Sequence, residues 1–226
     1  VDEKEKNIKE LIALSTQVSK YCVGMEGNIS SKNKDTLLIK ASGAKLSNLT
    51  ESDLVEFDFN GHQLSNFSKK GSMELSFHTF LLSFKDVNYI SHTHPTNTLK
   101  ILCSSLDKKF AVKRLFPDQV VFNGVKACLV PYAKPGIELT NLIKKHVSEF
   151  ISEEKYFPKL ILLKNHGIIA CGKTIDECII ISEICEKSAE IFIGAVSIDN
   201  ITFLTDESVN DLLIDKNEKY RQELLK

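Results

Sequence analysis

Arginine is almost missing from this chain: Arg114 and Arg221 are the only two among 29 basic residues. Bidentate guanidinium recognition of a phosphate is therefore nearly unavailable, and a bound anion must rely on backbone amides, hydroxyls or lysine. An excess of charge of either sign is also missing. The 30 carboxylates leave a net charge of −1 and a pI near 6.7, with no block of five like charges, which argues against nucleic acid or an anionic membrane as the main partner. The strongest apolar runs, Leu160 to Leu163 and Ile179 to Ile181, fall far short of the roughly 18 residues of a membrane span. Val1 to Glu10 is charged and has no apolar h-region, so no signal peptide is expected. The six cysteines (Cys22, Cys103, Cys128, Cys171, Cys178, Cys185) form no C-x-x-C pair. Scattered among apolar neighbours, they read as buried thiols in a reducing compartment, by default the cytoplasm.

What is present is an ordinary globular composition, 42% hydrophobic and 26% charged over 226 residues. A chain of this length buries roughly 70% of its unfolded surface without a disulfide or metal, so a metal here would serve chemistry rather than folding. Ile8, Leu11, Ile12, Ser15, Val18 and Cys22 keep helical spacing and predict an opening helix that ends near Val23 and Gly24. Thr36 to Lys40, Leu54 to Phe59, Val87 to His94 and Leu160 to Leu163 read as strands. Helical stripes follow at Phe77, Phe80, Leu81, Phe84, from Leu99, and at Leu139 to Phe150. Thr174 and Glu177 form a capping box for a long helix towards Ile193. Val120 to Phe122 and Ala127 to Val130, flanking Asn123-Gly124, predict a hairpin. Asp206 to Lys226 is a charged, partly helical tail. With no repeat or long linker, residues 1–226 read as one α/β domain with 206–226 as its tail.

Ser91-His92-Thr93-His94-Pro95 carries the most chemistry. In a strand, residues i and i+2 share a face, and Pro95 stops the ladder, so His92 and His94 project together at a strand end. Two imidazoles so placed can share a metal with a third ligand from elsewhere, and His166, after the strand Leu160 to Leu163, is the candidate third. The same H-x-H is equally the pattern of a satisfied polar pair at a strand terminus. Ser72 before the Phe77 helix suits an N-cap, with Glu74 in the first turn as a helix-dipole partner or, facing the histidines, as a general base. Glu74 and His78, one turn apart, could form a rival metal pair, but His92 and His94 chelate better. His62, His78 and His146 read as structural. The glycine-containing turns Gly24 to Ser30 and Ala41 to Lys45 offer amides and short polar side chains suited to cradling an anion. Neither matches a dinucleotide or P-loop motif.

Taken in order, Gly27-Asn28-Ile29-Ser30, Ser42-Gly43, Leu49-Thr50 with Asp53-Leu54-Val55, Ser72-Met73-Glu74, His92-Thr93-His94-Pro95 and Asn165-His166-Gly167 resemble the class II aldolase/adducin family from about Val18 to Ile193. Within it, the chain is most similar to the fuculose- and rhamnulose-phosphate aldolases. The resemblance implies a single three-layer α/β/α domain around a largely antiparallel sheet, and a homotetramer. It implies that His92, His94 and His166 hold Zn²⁺ or another divalent metal and that Glu74 is the acid/base. It also implies that Asn28, Ser42, Gly43 and Ser72 line the pocket for the phosphate of a small phosphorylated sugar. The implied reaction is retro-aldol cleavage of a ketose 1-phosphate, with no Schiff-base lysine.

Three positions depart from that pattern. Met25 stands where these aldolases often carry threonine, and Met73 where many carry a second serine. Lys108 to Pro117 contains no tyrosine to serve as the acid that the fuculose-phosphate type supplies there, which leaves Tyr220 in the tail as a substitute or as a tail anchor. These departures keep two further readings open: an epimerase, dehydratase or decarboxylase on the same metal–enolate site, and a non-catalytic adducin-like binding module.

Overall fold

The computed structural model describes residues 3–225. Seven strands, β1 (Asn28–Asn33), β2 (Thr36–Lys40), β3 (Leu54–Asp58), β4 (Tyr89–Thr93), β5 (Cys128–Val130), β6 (Leu160–Leu163) and β7 (Gly167–Gly172), form one sheet in the order β3-β2-β1-β4-β7-β6-β5. Every neighbouring pair is antiparallel except β5 with β6. The central strands are buried on both faces, so alternate residues enter two different cores. Leu37 and Ile39 of β2 pack on one side under α2 (Leu75–Leu82) and α6 (Ile137–Glu154). Leu38 packs on the other under α1 (Glu3–Val18). On β6, Ile161 and Leu163 face α6, whereas Leu160 and Leu162 face α7 (Ile175–Ile198). The result is the expected three-layer α/β/α arrangement with a mostly antiparallel sheet.

The stretch after β4 is short helices: α3 (Thr96–Leu102), α4 (Asp107–Val112) and α5 (Pro117–Asn123). Glu186 of α7 fixes the start of α3 by accepting from the backbone N–H of Asn97 and Thr98, each at 2.9 Å. α5 replaces the hairpin predicted at Asn123-Gly124. Gly124 has φ +84°, but this glycine ends a helix, and a helix C-terminus draws on the same left-handed freedom as a tight hairpin. Strands β1 and β7 were not foreseen, because Asn28 to Asn33 is polar and Gly167 to Gly172 follows β6 too closely to stand out. The capping box is also shifted. Thr174 Oγ1 accepts from Glu177 N as predicted, but the Glu177 carboxylate returns to Lys173 N, one residue earlier than expected.

Arg114 is buried, and its guanidinium donates to the carbonyls of Gly124 at 2.6 Å and Lys113 at 2.8 Å. The tail forms α8 (Asp206–Ile214) and α9 (Lys216–Glu223). α9 is tied to α5 through Arg221–Asp118 at 2.9 Å and Gln222 to the Val121 carbonyl at 3.0 Å. Both arginines are thus committed to the scaffold. All six cysteines are free thiols, and four are buried as expected, while Cys22 is half-buried and Cys103 exposed. Among the described residues no helix is long and apolar enough to cross a membrane.

Candidate active site

β4 lies between β1 and β7, and its register sets His92 opposite Asn28 on β1 and Ile169 on β7. The two-residue period carries Ile90, His92 and then His94 to the face covered by α2. His166 arrives from the tight β6–β7 connection, where Asn165 adopts φ +55°. The three ring centroids lie 4.8, 4.9 and 5.2 Å apart, and one nitrogen from each ring falls within 4.8 Å of the others. Gly167 allows this approach, since a Cβ there would stand 2.4 Å from the Thr93 carbonyl and 2.6 Å from His94 Cδ2. Gly27, at φ +71°, is similarly constrained, since a Cβ there would stand 2.7 Å from the His92 carbonyl oxygen.

The surroundings decide which nitrogens face inward. His92 Nδ1 donates to the Ile168 carbonyl at 2.8 Å, which leaves Nε2 as a lone pair. His94 turns Nδ1 to the Glu26 carboxylate at 3.5 Å and Nε2 to His92 Nε2 at 3.2 Å. Two lone pairs thus meet at a distance that a shared cation would resolve. Burial, and then the neighbouring His94 charge, hold His92 down to about 3. Burial, and then His92, hold His166 to about 4. Both rings are therefore neutral at pH 7, the form that ligates metal. Glu74 closes the group, with Oε2 3.3 Å from His92 Nε2 and Oε1 3.6 Å from His166 Nε2. Glu74 Oε1 is buried and has no hydrogen-bond partner. Three imidazoles, a carboxylate and an orphaned oxygen fit a divalent cation.

Glu74 does not sit in the first turn of α2 but at the cap position before Leu75, with its carboxylate turned inward rather than onto the helix amides. Nor is Ser72 the cap: its Oγ accepts from Glu74 N at 3.2 Å and from Asn28 Nδ2 at 3.3 Å. With both acceptor directions used, its own O–H is left to donate to a ligand. A pocket of about 210 Å³ brings together Asn28, Ser42, Gly43, Ser72, Glu74, His92, His94 and His166. Met25, Gly27, Lys40, Met73 and Pro135 complete it.

Lys40 was not singled out in the sequence. It ends β2 at 3% exposure, and its Nζ donates to the Ala44 carbonyl at 2.6 Å. Burial pushes its pKa down. A lysine closing the apolar run Leu37-Leu38-Ile39, two residues before Ser42-Gly43, is the available signal. Tyr220 is not brought here. α9 ends against Thr174, whose Oγ1 donates to the Leu225 carbonyl, at the far end of β7 from His166. At about 3.3 Å per residue, that strand separates them by roughly 20 Å. The tyrosine-free segment runs from α4 to the start of α5, and its Phe110 packs with α7 on the opposite side of the sheet.

A three-layer fold with a histidine triad and a carboxylate at the end of its central strands defines a candidate metal-centred α/β enzyme. Residues 10–193 match the family model described as Class II Aldolase and Adducin N-terminal domain. The L-fuculose phosphate aldolase of Methanococcus maripaludis strain C5 is 34% identical over 174 residues, covering 76% of this chain and 86% of that one. That of Escherichia coli K12 is 25% identical over 211 residues, covering 92% of each. Among solved structures, an L-fuculose 1-phosphate aldolase superposes with a TM-score of 0.77 at 22% identity, covering 96% of both chains. YgbL from Escherichia coli, a candidate aldolase/epimerase/decarboxylase, gives 0.77 at 24% identity, covering 92% of this chain and 98% of that one. At such identities the structural likeness speaks to the fold. The chain belongs to the class II aldolase and adducin family, and it is an enzyme of the lyase kind.

Proposed function

We propose that this protein is a zinc-dependent aldolase that cleaves a ketose 1-phosphate by retro-aldol chemistry and works as a homotetramer. The observation that carries the reading is the meeting, in one pocket, of three imidazoles, the Glu74 carboxylate and a polar wall of Ser42, Gly43, Ser72 and Lys40. His92, His94 and His166 would hold the metal, which supplies Lewis acidity to the substrate's carbonyl oxygen as negative charge grows there.

The chain's own residues supply the rest. The Ser72 hydroxyl and the amides around Gly43 bind the phosphate, and buried Lys40 opposes its charge. During cleavage the proton of the hydroxyl β to the carbonyl passes, through water, to the Glu74 carboxylate as the aldehyde forms, and the electron pair of the broken carbon–carbon bond passes to the ketose-derived fragment. Glu74, oriented by Asn28 Nδ2 at 2.7 Å, delivers a proton to that fragment's carbon and removes it in the reverse direction.

A second reading, epimerase or decarboxylase chemistry at the same site, draws on the exposed Met25 and Met73 at the pocket mouth and on the absence of tyrosine from Lys108 to Pro117. The test is elemental mass spectrometry of the purified protein followed by a panel of ketose 1-phosphates with product masses. One zinc per chain and an aldehyde plus a three-carbon keto phosphate are expected. Loss of CO₂, or an unchanged product mass with inverted configuration, would select the second reading. Sedimentation at about four times the 25.4 kDa chain checks the assembly.

A further inference from the structure

His78 lies one turn beyond Glu74 on α2, fully buried, and it lines no part of the pocket. It is not a metal ligand either. The described cluster comprises His92, His94 and His166 alone. Its ring instead spans two residues of β1: Nδ1 meets Ser30 Oγ at 2.6 Å, and Nε2 makes a short contact with Asn28 Oδ1. Asn28 in turn offers Nδ2 to Glu74 Oε2 at 2.7 Å and to Ser72 Oγ at 3.3 Å.

Only one proton pattern satisfies this chain. An ionised carboxylate only accepts, so the Asn28 amide must present its NH₂ to Glu74 and its oxygen to His78. His78 must then carry its proton on Nε2, which leaves Nδ1 to accept from the Ser30 hydroxyl. The opposite tautomer would set a ring lone pair against Asn28 Oδ1. Flipping the amide to relieve that clash would set Oδ1 against the Glu74 carboxylate, an acceptor facing an acceptor in a dry interior.

We propose that His78 is a positioning residue: as the Nε2–H tautomer, it locks the Asn28 amide so that a donor is held against the Glu74 carboxylate before substrate arrives. Ser30, His78, Asn28 and Glu74 form a one-way hydrogen-bond line that ends at the acid/base. The kinetic part of this proposal rests on Glu74 acting as the acid/base of the lyase; the tautomer part does not.

The test uses the full zinc-loaded protein in two arms. In the first, ¹⁵N-imidazole NMR reads the His78 tautomer without any substrate. The Nε2–H form is expected, and the Nδ1–H form overturns the proposal. In the second, His78→Gln, which keeps a donor near the Nε2 position, is compared with His78→Phe, which keeps bulk but has no donor. His78→Phe is expected to lower kcat by about 10- to 100-fold, the usual scale for such supporting partners, with KM and zinc content little changed, and His78→Gln to recover most of the loss. Equal activity in the two folded variants overturns the proposal. If His78→Phe does not fold, Asn28→Asp takes its place, turning the donor at Glu74 into an acceptor in the same shape, and retention of wild-type kcat would overturn the proposal. Should the wild type cleave no ketose phosphate, the aldolase reading falls, while the tautomer arm still decides the orientation.

Discussion

His92, His94 and His166 are carried by, or directly flank, the two central strands β4 and β7, whereas Ser42, Gly43, Ser72, Met25 and Met73 sit on connections outside the sheet. The histidine half is held by register. His92 is 1% exposed, its tautomer is set by the Ile168 carbonyl, and Gly167 leaves no room for the hairpin to shift. On the anion half, Met25 and Met73 are 61% and 75% exposed, so a side chain there can be exchanged without disturbing a core. On the proposed reading, the frame would fix what chemistry is available, and the loops which molecule it acts upon. The departures from the family pattern at Met25 and Met73 fall in the loop half, where they cost the fold nothing.

The sharpest way to break this division is His92→Ala. Metal content is expected to fall from about one ion per chain to near zero, and activity by on the order of 10⁴-fold or more, because several kcal/mol of Lewis-acid stabilisation are lost. The thermal transition should stay cooperative, since the apolar clusters on both faces close without the metal. A variant that fails to fold would show that the histidine half is structural.

Acid sensitivity is the next largest effect. His78, His92 and His166 all have folded pKa values depressed, first by burial, below an unfolded value near 6.5. Above pH 6.5 neither state binds these protons. As pH falls below 6.5, the unfolded chain takes up protons that the native one refuses. Metal-free protein should lose about 1.4 kcal/mol per pH unit for each of His92 and His166, down to roughly pH 4, with His78 acting in the same direction. Denaturant titrations of the metal-free protein at pH 7, 6 and 5 check the slope, and a flat profile would contradict the burial of His78, His92 and His166. Lys40→Met should have a smaller effect on the other half. Removing the buried cation is expected to raise KM for a sugar phosphate by about 10- to 100-fold with kcat less affected, the cost of one charge-assisted contact. Unchanged KM would mean that the substrate's anion lies elsewhere.

The same division governs what was legible from residues alone. His92, His94, His166 and Glu74 stand in short, spaced motifs, and the two-residue period of a strand suffices to bring the first two together. Strand β1 was hidden because its buried face is polar: Asn28 and Ser30 are at most 5% exposed, yet both spend that burial on hydrogen bonds to His78 and Glu74 rather than on apolar contact. Hydrophobic periodicity has no means of registering such a strand. Asn123-Gly124 points to a hairpin where α5 ends, because Asn-Gly serves a helix end as well as a hairpin. The burial of Lys40 is not legible locally, since the turn that folds back over its ammonium group lies beyond the strand.

Met73→Ser tests the loop half with the smallest change. Met73 lies between Ser72, whose hydroxyl is free to donate, and Glu74, whose carboxylate points at the histidines. The Met73 side chain is exposed, so its replacement removes little buried area and should leave stability within about 0.5 kcal/mol. A hydroxyl there would add one neutral-donor hydrogen bond to a phosphate oxygen, about 1 kcal/mol net. KM for a ketose 1-phosphate should accordingly fall by about three- to tenfold while kcat holds, measured under the conditions used for the wild type. A rise in KM instead would show that the methionine contacts the substrate. The apolar mouth formed by Met25 and Met73 would then be a specificity element for a less highly charged molecule, and the loops rather than the metal frame would have moved this enzyme away from sugar phosphates.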